Sequence, residues 1–198
     1  MPKTRYRDFS RRIRLLAQQL HVTTHLFQRV AFCNQEPHQN VHREHREEKC
    51  LAHPGRQPFE TIELAYGAQT LWPDHCVQDT VGAAFHPRVH LPRAEMVVRK
   101  GFRREIDSYS AFCENDRRTT TGLAGYLRER GFERVFLAGL ATDFCVHYSA
   151  VDARRAGFGV VVIEDGCRAI DLDGSLAAAL RQMHAAGVER VTSDMIAS

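Results

Sequence analysis

The chain has 198 residues and 22.5 kDa, with 43% apolar and 26% charged residues, a composition that provides a sizeable core within the size of one domain. It excludes collagen-like, low-complexity and wholly disordered chains, and no apolar run approaches the roughly 18–20 residues needed to cross a bilayer. Six cysteines without a C-x-x-C pair read as free thiols of a reducing compartment, so a cytoplasmic soluble domain is expected.

The net charge of +3 hides an asymmetry. Residues 1–50 hold ten Lys/Arg, five Asp/Glu, five of the eleven His and no Gly; every glycine lies from Gly55 onward. This atypical basic segment has three readings. Arg5, Arg7, Arg11, Arg12 and Arg14 with Ile13, Leu16 and Leu20 outline a basic amphipathic helix for a nucleic-acid or membrane surface. The single acid among residues 1–35, Asp8, gives the flavour of a transit peptide. The third reading is a stretch from another reading frame, or a mis-called start, joined to a domain at 51–198.

From residue 96 the pattern alternates. Met96-Val97-Val98 predicts a short strand whose tip breaks at Arg99-Lys100-Gly101. Residues 121–130 predict a helix, N-capped by Thr120 or Thr121 and closed by Gly131. A continuous apolar run, 135–140, predicts a strand, and 143–156 a helix closed by Gly157. Residues 159–163 form another β-branched run, 175–186 an Ala/Leu-rich helix ended by Gly187, and 188–191 a last strand. Apolar runs between amphipathic helices mean parallel strands covered on both faces. The expected architecture is a three-layer α/β/α, doubly wound, mostly parallel sheet. Chemistry in such folds gathers at the carboxyl ends of strands, which here means Lys100 and the segment after Leu140.

That segment is Ala141-Thr142-Asp143-Phe144-Cys145-Val146. It puts Cys145 in the first turn of a helix, where unpaired N–H groups and the macrodipole favour a thiolate, and Lys100 adds a cation. Cysteine is also a common small buried hydrophobe, and strand-end placement alone does not separate the two readings.

The motifs LWPDHCVQDTVGAAFHP (71–87), VVRKGF (97–102), DSYSAF (107–112), LAGLATDFCV (137–146) and DARRAGFGVVVIEDGCRAID (152–171) resemble the nicotinamidase/pyrazinamidase branch of the isochorismatase-like cysteine hydrolases, in order, over about residues 52–198. The resemblance implies an amidohydrolase of NAD salvage that converts nicotinamide or pyrazinamide to the acid and ammonia through a cysteine thioester. Cys145 matches the nucleophile and Lys100 the lysine beside it. The backbone N–H groups of Ala141 and Cys145 match the oxyanion hole, with a cis peptide at Leu140–Ala141. Trp72 matches an aromatic that packs on the substrate ring, with Tyr109 and Phe144 as further walls. The family holds a divalent metal (Zn, Fe or Mn) through one Asp and three His; His75 matches one ligand, and His42 falls near a second. Neither nucleic acid nor membrane is an implied partner; a homo-oligomer is compatible with the sequence.

Two family motifs are missing. The first strand should end in D-x-Q-N-D-F, whose first Asp is the general base; Asp8-Phe9 is a fragment with no apolar strand before it. The second should end in D-W-H-P…H, where this chain has Asn40-Val41-His42-Arg43-Glu44-His45-Arg46. Asn40 stands for the carboxylate and His45 is one position off. A lost base removes general acid–base help of about 10²–10⁴-fold. Three functions therefore stand side by side: a nicotinamidase, a cysteine hydrolase of another small amide, and an inactive relative corrupted at its N-terminus.

Overall fold

A computed structural model describes residues 55–73, 75–76, 80–85, 94–101, 103 and 105–196. Residues 1–50, with His42, lie outside the described residues, as does the proposed division at residue 50.

The described chain opens with an antiparallel hairpin, β1 (Thr61–Leu64) and β2 (Gly67–Thr70), in the register Thr61↔Thr70 to Leu64↔Gly67. Sequence reading passed over this hairpin. Its Ala65-Tyr66 turn carries none of the usual turn residues, and the one local signal is Gly67, which takes a φ of 117°. Buried Ile62 and Gln69 face each other across it.

The main sheet has three described strands in the order β3 (Arg134–Leu140), β4 (Glu-bearing Gly159–Arg168) and β5 (Glu189–Val191), all parallel. Helix α1 (Leu123–Glu129) precedes β3, α2 (His147–Arg155) links β3 to β4, and α3 (Ser175–Ala185) links β4 to β5. The strands read as unbroken apolar runs because both faces are buried. On one face Val135, Leu137, Val160 and Val162 pack with Leu127 of α1, Ala150 and Ala153 of α2 and Met183 of α3. The other face holds Phe136, Ala138, Val161, Ile163 and Val191, and Ile196 packs against it. The expected α/β class with a parallel sheet is thus present.

The structure changes three boundaries. Residues 94–100 enter no strand ladder among the described residues, although Met96 and Val98 pack on the core while Val97 is exposed. Alternation alone is an extended chain; a strand also needs a hydrogen-bonded neighbour. Strand β4 runs five residues past the predicted Ile163, because a register shift between Leu137 and Gly139 lets Gly139 and Leu140 pair with Cys167 and Arg168. Gly166 permits this: a Cβ there would sit 3.2 Å from the Ala138 Cβ and 3.2 Å from the Ile163 carbonyl oxygen. Helix α1 starts two residues late, with Gly122 as N-cap at a φ of 85°, and Thr121 instead accepts the Leu123 N–H at 3.3 Å.

Between the hairpin and α1, residues 105–122 form an irregular but anchored loop. Asp152 of α2, 7% exposed, accepts a two-pronged contact from Arg117 at 2.6 and 3.1 Å and the Cys113 thiol at 3.2 Å. Ser149 of α2 accepts the Ala111 N–H at 2.9 Å. Buried polar groups with such partners pin a loop whose own pairing is a single antiparallel bridge, Cys113↔Thr120. No described helix is long and apolar enough to cross a membrane.

At the end of β3 the chain turns under the control of Asp143, 3% exposed, whose carboxylate accepts the N–H groups of Ile170 and Asp171 at 3.0 and 2.7 Å and the Ser175 hydroxyl at 2.5 Å. One side chain thereby ties the β3–α2 turn to the segment leading into α3. Asp143→Ala strands these donors, and the expected loss is about 1–3 kcal/mol of unfolding free energy. Urea titration of both proteins measures it; an unchanged midpoint contradicts the tie.

Candidate active site

Cys145 lies in a five-residue π-helical turn, Thr142–Val146, that runs directly into α2. The sequence reading placed it in a first helical turn; the turn observed is wider, closed by Val146 N–H to the Ala141 carbonyl at 3.0 Å and Phe144 N–H to the same oxygen at 3.1 Å. Such widened turns are frequent at functional sites. The Cys145 carbonyl accepts the Ser149 hydroxyl at 2.6 Å, which couples the turn to the loop at Ala111. Ala141 is extended, and the Leu140–Ala141 peptide is cis.

Lys100 arrives from the other side of the chain. Its Nζ donates to the Ser108 carbonyl at 2.7 Å and lies 3.5 Å from Cys145 Sγ, although 45 residues separate the two in sequence. Gly101, at a φ of 65°, turns the backbone away immediately after it. The carbonyl contact fixes where the ammonium sits beside the sulfur.

The three aromatic candidates come together. Trp72 and Phe144 meet edge to face at 4.7 Å between centroids, Tyr109 and Phe144 at 5.6 Å, and Trp72 and Tyr109 at 6.3 Å. Trp72 Nε1–H donates to the Tyr109 hydroxyl at 2.9 Å. Phe144 immediately precedes Cys145 in the π-helical turn, so the half-buried aromatic cluster and the cysteine share one chain segment. Burial pushes the Tyr109 phenol well above its ordinary range, helped by the Asp107 charge, which keeps it protonated.

His75 is exposed, and its Nδ1 lies 2.7 Å from the Pro73 carbonyl oxygen. A carbonyl only accepts, so Nδ1 is the donor in this contact and Nε2 is the ring nitrogen left outside it, the placement of a metal-binding histidine with its orienting partner. Among the described residues, however, no three His, Cys, Asp or Glu side chains gather as a metal set. His75 offers one donor, and a divalent ion needs further ligands besides it. His42 lies outside the described residues.

Two side chains around the turn were not found by sequence reading. Asp143 stands two residues from Cys145, and an acid in a first helical turn was the available signal. Ser149 bonds the Cys145 carbonyl one helical turn back, a local contact of any helical serine, and only the fold brings the Ala111 N–H onto the same hydroxyl.

The thiols separate by environment. Burial pushes Cys113 up to about 11, with the Asp152 carboxylate adding to it, and pushes Cys167 up to about 12. Cys145 is half-buried beside an ammonium. Brief iodoacetamide treatment near pH 7 is expected to alkylate Cys145 before Cys113 and Cys167, as read by peptide mass spectrometry; the reverse order contradicts this site. His147, 5% exposed at the start of α2, behaves differently. Burial lowers its imidazole below the ordinary 6.5, against the opposing pull of Gln182, Asp143 and Asp152. A depressed histidine means that the unfolded chain binds the extra proton, so its contribution is complete above about 6.5 and is lost as pH falls through the folded value. His147→Gln should therefore flatten the fall in unfolding free energy below that pH; identical pH profiles contradict this account.

Comparison with known proteins identifies the family. The isochorismatase domain family model matches residues 5–195. A nicotinamidase of Acinetobacter baylyi is 57% identical over 141 residues, 71% of this chain and 66% of its own length, so the match falls just short of two thirds of that relative. A solved nicotinamidase pyrazinamidase of Acinetobacter baumanii superposes with a TM-score of 0.80 at 43% identity, covering 96% of this chain and 86% of the other. A pyrazinamidase of Pyrococcus horikoshii in complex with zinc, 34% identical, covers 62% of this chain and 64% of its own with a TM-score of 0.53. The family model, matching nearly the whole chain, places this protein in the isochorismatase family.

Proposed function

We propose that residues 51–198 form a cysteine amidohydrolase domain that converts nicotinamide, and the related pyrazinamide, to the carboxylic acid and ammonia. The observation that carries this reading is the 3.5 Å approach of Lys100 Nζ to Cys145 Sγ, with Phe144 of the Trp72–Tyr109–Phe144 cluster adjoining Cys145 in sequence. The names of the relatives, nicotinamidase and pyrazinamidase, supply the substrate class. A flat heteroaromatic ring suits edge-to-face aromatic walls.

In this reading the Cys145 sulfur attacks the amide carbonyl carbon, forming a C–S bond and moving charge onto the carbonyl oxygen. The N–H groups of Ala141 and Cys145 receive that oxyanion, and each such donor contributes about 2.7–4 kcal/mol to the transition state. The C–N bond then breaks. The departing amide nitrogen takes up one proton, for which the Lys100 ammonium is the charged donor near the sulfur, and leaves as ammonia. Water adds to the thioester and returns a proton to Lys100, the C–S bond breaks, and the acid is released with the sulfur and the ammonium restored. The balance is one amide and one water in, one acid and one ammonia out.

The metal belongs to the proposal at the level of the family. A zinc-bound neighbour supports a divalent ion, His75 Nε2 is the described donor for it, and when bound it supplies an anchor for the ligand. The catalytic roles of Lys100, Cys145 and Ala141 and the binding roles of Trp72, Tyr109 and Phe144 are proposed on the geometry above. A cytoplasmic location is proposed from the free thiols.

Ammonia release from nicotinamide by the purified full chain tests the reading. Cys145→Ala is expected to abolish turnover, and Lys100→Ala to lower kcat about 10²-fold or more, within the range of general acid–base catalysis. Steady turnover by the alanine variant at 145 overturns the nucleophile. Inert nicotinamide and pyrazinamide alongside turnover of another small amide overturn the substrate.

A further inference from the structure

The aromatic cluster is held from behind by a residue with no assigned role. Gln69 of β2 is 4% exposed and has more acceptors in reach than its amide has protons. Its Nε2 lies 2.8 Å from the Tyr109 hydroxyl, 2.8 Å from the Thr70 carbonyl oxygen and 3.0 Å from the Asp107 carboxylate. Its Oε1 accepts from Asn115 Nδ2 at 2.9 Å and from the Tyr66 hydroxyl at 3.3 Å. These donors to oxygen and acceptors for nitrogen leave one orientation of the amide. The Tyr109 hydroxyl also accepts the Trp72 indole N–H at 2.9 Å. Two N–H groups thus converge on one phenol oxygen, one from the hairpin and one from the aromatic cluster.

We propose that Gln69 is a positioning residue that sets the orientation of Tyr109, and through it of Trp72, for the ring of a heteroaromatic amide. The inference rests on the nicotinamidase reading for its substrate. The physical reason is directional. Edge-to-face ring contacts tolerate rotation, whereas a hydrogen bond weakens steeply as its angle departs from linear. The aromatic contacts supply area, and the Gln69–Tyr109–Trp72 chain supplies orientation. Leucine at position 69 would retain a buried side chain but end that chain at Tyr109.

Trp72 is the single tryptophan of the sequence, so intrinsic fluorescence reports on this site alone. Gln69→Leu is expected to shift the Trp72 emission and to weaken quenching by added nicotinate about tenfold. It should raise KM for nicotinamide about tenfold with kcat within about twofold, the pattern of lost uniform binding. Tyr109→Phe, which removes only the shared oxygen, should produce the same emission shift and serves if the leucine variant does not fold. In the double variant the KM effects should fail to multiply, because both substitutions break one chain. Gln69→Leu that lowers only the thermal midpoint, leaving emission, nicotinate titration and KM unchanged, overturns the proposal. Multiplying KM effects also overturn it. Failure of the nicotinamidase reading is recognised separately, as no turnover by the unmodified protein. The emission comparison between unmodified protein and Gln69→Leu still decides the role of Gln69 in that case.

Discussion

Everything at this site depends on converting the end of a parallel strand into the start of a helix within a few residues while one sulfur is left accessible. Strand β3 delivers the backbone to Ala141, the π-helical turn carries Cys145, and α2 continues from His147. A turn of this kind has backbone groups that no regular ladder satisfies. Asp143 and Ser149 answer that need from opposite sides. The Asp143 carboxylate collects two backbone N–H groups and a hydroxyl from the segment entering α3, and the Ser149 hydroxyl accepts from Ala111 while donating to the Cys145 carbonyl. Cys145 is thus held between two chain segments, and one of them, the 105–122 loop, also holds Lys100 through the Ser108 carbonyl. Preorganisation comes from these neutral and ionic hydrogen bonds more than from the apolar core, which places the strand but not the turn.

A division of labour follows. The face of the sheet under α1, α2 and α3 provides stability through packed aliphatic side chains. The end of the sheet that carries Cys145 is polar and aromatic, and its precision comes from hydrogen bonds that run between elements distant in sequence. Asp152 ties the 105–122 loop to α2, and Gln69 ties the hairpin to Tyr109. Both are nearly inaccessible polar side chains with several partners, the setting in which a polar group specifies one geometry.

The strands and helices after residue 120 were legible because their signals are local. Val135–Leu140 and Gly159–Ile163 are apolar runs, and Gly131, Gly157 and Gly187 mark helix ends with φ values of 71°, 93° and 73°. Met96–Val98 misled for the complementary reason. Its alternation is real in the packing of Met96 and Val98, but ladder partners are not encoded in the three residues themselves. The extension of β4 past Ile163 was equally hidden, since it depends on a register shift opposite Gly139 and on the space beside Gly166. The hairpin at 61–70 had too weak a turn signal to be read.

By itself the sequence determined the class of fold, the placement of Cys145 after a buried strand, and the family resemblance that named Lys100, Trp72, Tyr109, Phe144, Ala141 and His75 as candidates. Those are properties of short motifs and of periodicity, which persist whatever the distant chain does. The tertiary structure decided which candidates meet. It brought Lys100 Nζ to 3.5 Å from Cys145 Sγ, gathered the three aromatics, left His75 without a metal set among the described residues, and recruited Asp143, Ser149 and Gln69. The reason is that a hydrogen bond or ion contact is decided by fractions of an ångström between segments tens of residues apart, and only the packed sheet and helices set those distances.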